Sequence, residues 1–111
     1  MKDHEQRYLE LLAKDGTDPT DTYRKALFYL FSGNLEIYSK IDSLYDFKSR
    51  SIEFDSFEKT DFSNSMKHMI ELGFNLYNGY PSADPATLFS GLDYENSKLC
   101  LEAIQVRFDL V

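Results

Sequence analysis

Apolar residues recur at helical spacing in most of this chain, and capping residues punctuate them. The first helix is expected from about Asp3 to Lys14, with His4, Tyr8, Leu11 and Leu12 on one face and Gly16 closing it. The second is expected from Pro19 to Ser32. Asp18 suits its N-cap, Pro19 its first position, and Gly33 a left-handed stop. Tyr23, Ala26, Leu27, Leu30 and Phe31 form its stripe, which Phe28 and Tyr29 widen almost all the way round. A helix apolar on most sides belongs in the middle of a bundle. Asn34 caps a third helix with Ile37, Tyr38, Ile41, Leu44 and Tyr45 on one face, reaching about Asp46 after a tight corner. The fourth runs from Ser63 to Asn78 on Met66, Met69, Ile70, Gly73, Phe74 and Tyr77, and stops at Asn78-Gly79 before Tyr80-Pro81. A short helical turn follows Asp84-Pro85 and ends at Gly91. The last helix starts at the cap Asp93 and buries Leu92, Leu99, Cys100, Ala103, Ile104 and Phe108.

Between residues 47 and 62 the periodicity fails. Ser51-Ile52-Glu53-Phe54 alternates like a short strand without an obvious partner, so an ordered connector is expected, pinned by Phe47, Phe54, Phe57 and Phe62. Leu-Phe-Ser-Gly occurs twice, at Leu30 to Gly33 and Leu88 to Gly91, but the surroundings do not align as a repeat. The fold class is therefore all-α: a single-domain bundle of about five helices over residues 1–111, at least 55% helical, with one irregular aromatic-rich connector.

Composition refines this picture. Nine Phe and eight Tyr in 111 residues make the core aromatic. Twelve basic against 19 acidic residues give a net charge of −7, which argues against direct nucleic-acid binding. The single cysteine, Cys100, excludes an internal disulfide, and its apolar neighbours suggest a buried thiol. The charged start Met1-Lys2-Asp3-His4-Glu5 does not read as a signal peptide, and no apolar run approaches a membrane span, so a cytoplasmic setting is expected.

Candidate chemistry is sparse. Asn64, His68, Glu71, Asn75 and Asn78 share a polar stripe of the fourth helix. His68 and Glu71 stand three residues apart and could share a proton or a metal ion. A metal site needs more ligands, and the only other histidine is His4, so no metal or cofactor is expected and the stripe reads first as a solvated face. Phe74 to Pro81 is the most distinctive local stretch. Asn75, Tyr77, Asn78, Tyr80 and Pro81 either satisfy a helix end or form a recognition patch, with Tyr80 exposed. Asp46 and Arg50 either pair to hold the connector or stand solvated beside Lys48. No phosphate loop, nucleophile triad or paired-cysteine spacing appears.

Lys25-Ala26-Leu27-Phe28-Tyr29, Ser32-Gly33-Asn34, Tyr45-Asp46-Phe47, Phe74 to Gly79 and Ser90-Gly91-Leu92-Asp93 together resemble a family of small uncharacterised proteins from low-GC Gram-positive bacteria. Its members often lie among mobile-element genes. The resemblance implies a bacterial cytosolic accessory protein and supplies no catalytic residue.

Three functions remain in view. The first is a non-enzymatic protein-interaction or regulatory module, monomeric or homodimeric, with no membrane partner. The second is a small-ligand binder or enzyme with a cleft lined by His68, Glu71 and Asn75. The third is an acidic DNA mimic, which needs carboxylates on one continuous face.

Overall fold

Helix caps set the boundaries in the computed structural model, which describes residues 2–110. Helix α1 (His4–Asp15) opens on a reciprocal capping box between Asp3 and Gln6 and closes at Gly16. Helix α2 (Thr22–Gly33) starts three residues later than Pro19. Asp18 instead closes a turn on Thr20, and Asp21 accepts the Arg24 amide as the true cap. At the other end, Gly33 is not left-handed: α2 stops on extended Asn34. Glycine is needed there for space, because a β-carbon would run into the Leu99 methyls of the last helix.

Asn34 then caps α3 (Leu35–Ser39), which is shorter than expected. The backbone leaves the helix at Lys40, tightens into a 3₁₀ turn at Ile41–Ser43, and extends into strand β1 (Tyr45–Asp46). Ile37, Ile41, Leu44 and Tyr45 are all buried, so their periodicity marked the correct face but not one continuous helix. Strand β1 also supplies the missing partner of the alternating stretch. It pairs antiparallel with β2 (Ser51–Ile52), in register Tyr45 to Ile52 and Asp46 to Ser51. The connector continues into helix α4 (Phe54–Lys59), with Phe57 and Phe62 buried.

Helix α5 (Asn64–Asn78) is capped by Ser63. It ends at Gly79, whose φ of 83° is a conformation that residues with a β-carbon rarely adopt. Helix α6 (Pro85–Ser90) follows the cap Asp84, and α7 (Tyr94–Phe108) the cap Asp93. The chain is 68% helical, predominantly α, with these seven helices and one tiny sheet among the described residues. No helix among them is long and apolar enough to cross a membrane.

Helix α2 is central, as its nearly all-round apolar surface required. It packs on α1, α3, α5 and α7, and Ala26, Leu27, Phe28, Leu30 and Phe31 are completely buried. Phe31 meets Phe74 edge-on at 5.8 Å, and Phe74 in turn meets Phe57 of the connector at 5.4 Å. Buried Arg7 ties α1 to the C-terminal end of α2 by donating its Nε–H to the Ser32 carbonyl at 2.7 Å. His4 Nε2 likewise donates to the Tyr29 carbonyl at 2.9 Å, so this histidine serves the fold.

Candidate interaction surface

The end of α5 uses its amides locally. Gly79 donates to the Asn75 carbonyl at 2.8 Å, Asn78 Oδ1 accepts the Tyr80 amide at 3.0 Å, and Asn75 Nδ2 donates to the Pro81 carbonyl at 2.9 Å. Asn75 and Asn78 therefore order a turn that carries a cis Tyr80–Pro81 peptide. Tyr80 itself points outward at 64% exposure, with one side of its ring 5.5 Å from Phe54. Tyr77 is half-buried beneath the Arg24 guanidinium, 5.3 Å from its ring centre.

Residues far away in sequence complete this surface. Arg107 lies 3.7 Å above the ring of Tyr23 and 4.7 Å from that of Phe108, and its Nε–H donates to the Leu76 carbonyl at 2.9 Å. A hollow of about 310 Å³ opens between Tyr23, Asn75, Tyr77, Asn78, Arg107 and Phe108. A second of about 510 Å³ adjoins it over Asp21 and Arg24, sharing Tyr23, Tyr77 and Asn78. Phe108 is a correction: expected in the core, it is 55% exposed because Leu99, Cys100 and Ala103 already fill the inner face of α7. Tyr23 is a second correction: expected on the packing stripe of α2, it is 49% exposed, because it lies in the first turn of that helix while Ala26, Leu27, Leu30 and Phe31 fill the interior. Arg24 and Arg107 carried no local sequence signal, since only the meeting of three helix ends brings them together.

The polar stripe of α5 has a different fate. Asn64 is exposed at the first turn, whereas His68 and Glu71 line a cleft of about 190 Å³ against Ser82, Asp84, Thr87 and Leu88. Asn75 does not line it. Asp84, on the opposite wall, accepts the Thr87 hydroxyl at 2.7 Å and the Ala86 amide at 3.3 Å, which holds its carboxyl below the usual range. Among the described residues no three His, Cys, Asp or Glu side chains converge to hold a metal ion.

The densest charge cluster lies inside. Asp15, its side chain fully buried, receives the Tyr45 hydroxyl at 2.6 Å, the Thr17 hydroxyl, and two Arg50 donors at 3.1 Å each. Burial pushes its acidity one way and these bonds the other; the bonds from Arg50, Thr17 and Tyr45 prevail and hold the carboxyl below its ordinary range. Burial, then Asp15, pushes the Tyr45 phenol up to about 12. Arg24 donates to Tyr45, Asp21 and the Arg50 carbonyl, at 3.1, 3.0 and 3.1 Å. Arg50 thus pairs with Asp15 and not with Asp46, which caps the hairpin turn through the Lys48 and Ser49 amides. Asp15 accepts from both Tyr45 and Arg50, and all three Arg24 nitrogens donate within the chain, so the cluster fastens the hairpin to α1 and α2. Cys100 is buried as expected, and burial raises its thiol to about 12, which leaves it unreactive.

No curated protein and no solved structure matches the chain, so no assigned residue carries over onto these surfaces. A family model does match, from residue 1 to residue 110, and the chain thereby belongs to DUF6075, a family of unknown function.

Proposed function

We propose that this protein is a non-enzymatic interaction module that binds a partner protein through the aromatic ridge where α2, α5 and α7 meet. The carrying observation is the stack of Tyr23, Arg107 and Phe108 beside Tyr77, with Tyr23 49% and Phe108 55% exposed. Tyrosine, phenylalanine and arginine are the residues that interfaces concentrate, and rings already ordered by a cation sacrifice little entropy on docking. The turn from Asn75 to Pro81 extends the surface and presents Tyr80. The resemblance noted above supports a bacterial cytosolic setting near mobile-element genes.

The alternative cleft at His68 and Glu71 is weaker support for a ligand site. At about 190 Å³ it is below the usual range of roughly 300–1,000 Å³ for small-molecule pockets, and its Asp84 wall is committed to capping α6. A DNA mimic finds little support either, because Asp3, Asp21, Asp84 and Asp93 cap four different helices instead of forming one face.

Co-purification from the native host tests the proposal, using tagged wild type, Tyr23→Ala and Tyr80→Ala. A partner protein is expected with wild type and lost with Tyr23→Ala, while the melting temperature falls by no more than about 5 °C, far less than for deletion of a core ring. The same set of proteins retained by all three would end the proposal.

A further inference from the structure

Helix α7 is apolar on two sides, and only one of them is covered. Leu99, Cys100 and Ala103 face α2 and α5, while Tyr94, Leu101 and Phe108 stand outward at 74%, 55% and 55% exposure. These three follow one another at intervals of seven residues, which returns to nearly the same side of a helix and is the spacing of a coiled-coil seam. Half-buried Ile104 widens the stripe on one flank, and exposed Lys98 and Gln105 lie along it.

We propose that the occupant of this face is a second copy of the same helix, running antiparallel, with the two-fold axis at Leu101. The stripe is symmetric about that residue, since Tyr94 lies seven positions before it and Phe108 seven after. Antiparallel pairing therefore sets Leu101 on its own copy and each Tyr94 against the partner's Phe108, joining aromatic to aromatic. Charge follows the same symmetry. Lys98 and Glu102 share one flank, and in the antiparallel pair Lys98 falls about 3 Å along the axis from the partner's Glu102, from a rise of 1.5 Å per residue. Two equivalent ion pairs result. A parallel pair would instead place Lys98 and the partner's Glu102 on opposite sides of the seam, out of reach of each other.

Size and charge predict the strength. Fifteen residues span about 22 Å, less than the roughly 800 Å² per partner of a standard interface needs. Glu95 and Asp109 add like charges to the flank that carries Lys98. The dimer should accordingly be reversible, with a dissociation constant on the order of 10 μM to 1 mM. Phe108 also borders the proposed partner surface, but Leu101 and Tyr94 lie outside it and self-association needs no outside protein, so the failure of one proposal is distinguishable from that of the other.

Sedimentation equilibrium of the full chain between about 10 μM and 1 mM is the first test. Wild type should shift from monomer towards dimer, and Leu101→Glu should remain monomeric with an unchanged helical circular dichroism signal. Cysteine scanning then fixes the geometry. Leu101→Cys should form a disulfide-linked dimer on mild oxidation, whereas Tyr94→Cys and Phe108→Cys should cross-link only when mixed with each other. Wild type that stays monomeric at 1 mM overturns the proposal. So does a dimer that survives Leu101→Glu, or one in which Tyr94→Cys joins its own copy as readily as Leu101→Cys does.

Discussion

Helix α2 lies in the interior and the β1–β2 hairpin is anchored to it from the surface, and the two are held by opposite chemistry. Around α2 the contacts are apolar and edge-on aromatic: Phe31 on Phe74, Leu99 pressed against Gly33, and Leu30 and Phe31 over Gly73. The hairpin rests on Phe28 through Tyr45 and Phe47, at 4.9 and 5.7 Å, yet what locks it is ionic. Asp15 gathers Tyr45, Thr17 and Arg50, and Arg24 bridges Tyr45 to the Arg50 carbonyl. Arg50 even adopts a positive φ of 58°, a conformation that side-chain-bearing residues usually avoid. A packed helix tolerates approximate chemistry of the right shape, whereas a buried carboxylate requires each of its partners.

The largest effects should come from each region's centre. Phe74→Ala should cost about 3–5 kcal/mol in chemical denaturation, because its ring touches Phe31, Phe54 and Phe57 and cannot be replaced by water. A loss below about 1 kcal/mol would show that the aromatic core is not continuous across the connector. Asp15→Ala should cost about 3 kcal/mol, towards the lower end for a broken buried pair because Arg50 is 43% exposed and can turn to water. If Asp15→Ala is instead nearly neutral, the charged lock is dispensable and the contrast fails.

Acid separates the two regions further. The folded-state pKa of Asp15 lies below the reference value of 3.8, so its contribution is complete above about pH 4 and disappears as pH falls through the folded value. Wild type should therefore lose stability on acidification more steeply than Asp15→Asn, and the two should converge at the acid end. The penalty of Phe74→Ala should not change between pH 7 and pH 4. Parallel acid profiles for wild type and Asp15→Asn would remove the lock from the account of the hairpin.

This contrast also explains what was legible beforehand. Helices α1, α5 and α7 announced themselves because a cap, a periodic stripe and a stop lie within one stretch of chain: Asp3 to Gly16, Ser63 to Gly79, and Asp93 onward. The centrality of α2 followed from its width of apolar surface. Partnerships between distant residues did not follow. Arg50 has Asp46 four residues away and pairs with Asp15, 35 residues away. Likewise Arg107 finds Tyr23, and Gly33 proves to be a packing glycine only once Leu99 lies against it. The recognition candidates from Asn75 to Pro81 were visible as a local cluster, but the side chains that extend them were not.

Tyr80 belongs to neither region, and it should show the smallest effect of all. Its ring has one aromatic neighbour, Phe54, and is otherwise open. Tyr80→Ala removes that pair and little buried area, so a stability loss of about 0.5–1 kcal/mol is expected, the range for an aromatic pair with no cavity left behind. The turn should persist, because Asn75 and Asn78 hold it through backbone groups at Pro81 and Tyr80 that the substitution retains. A thermal melt beside the co-purification assay reads both consequences. Loss of a bound partner with a nearly unchanged melt assigns Tyr80 to the surface. A destabilisation comparable to Phe74→Ala would place it with the core instead, and the ridge would then lose its outermost ring.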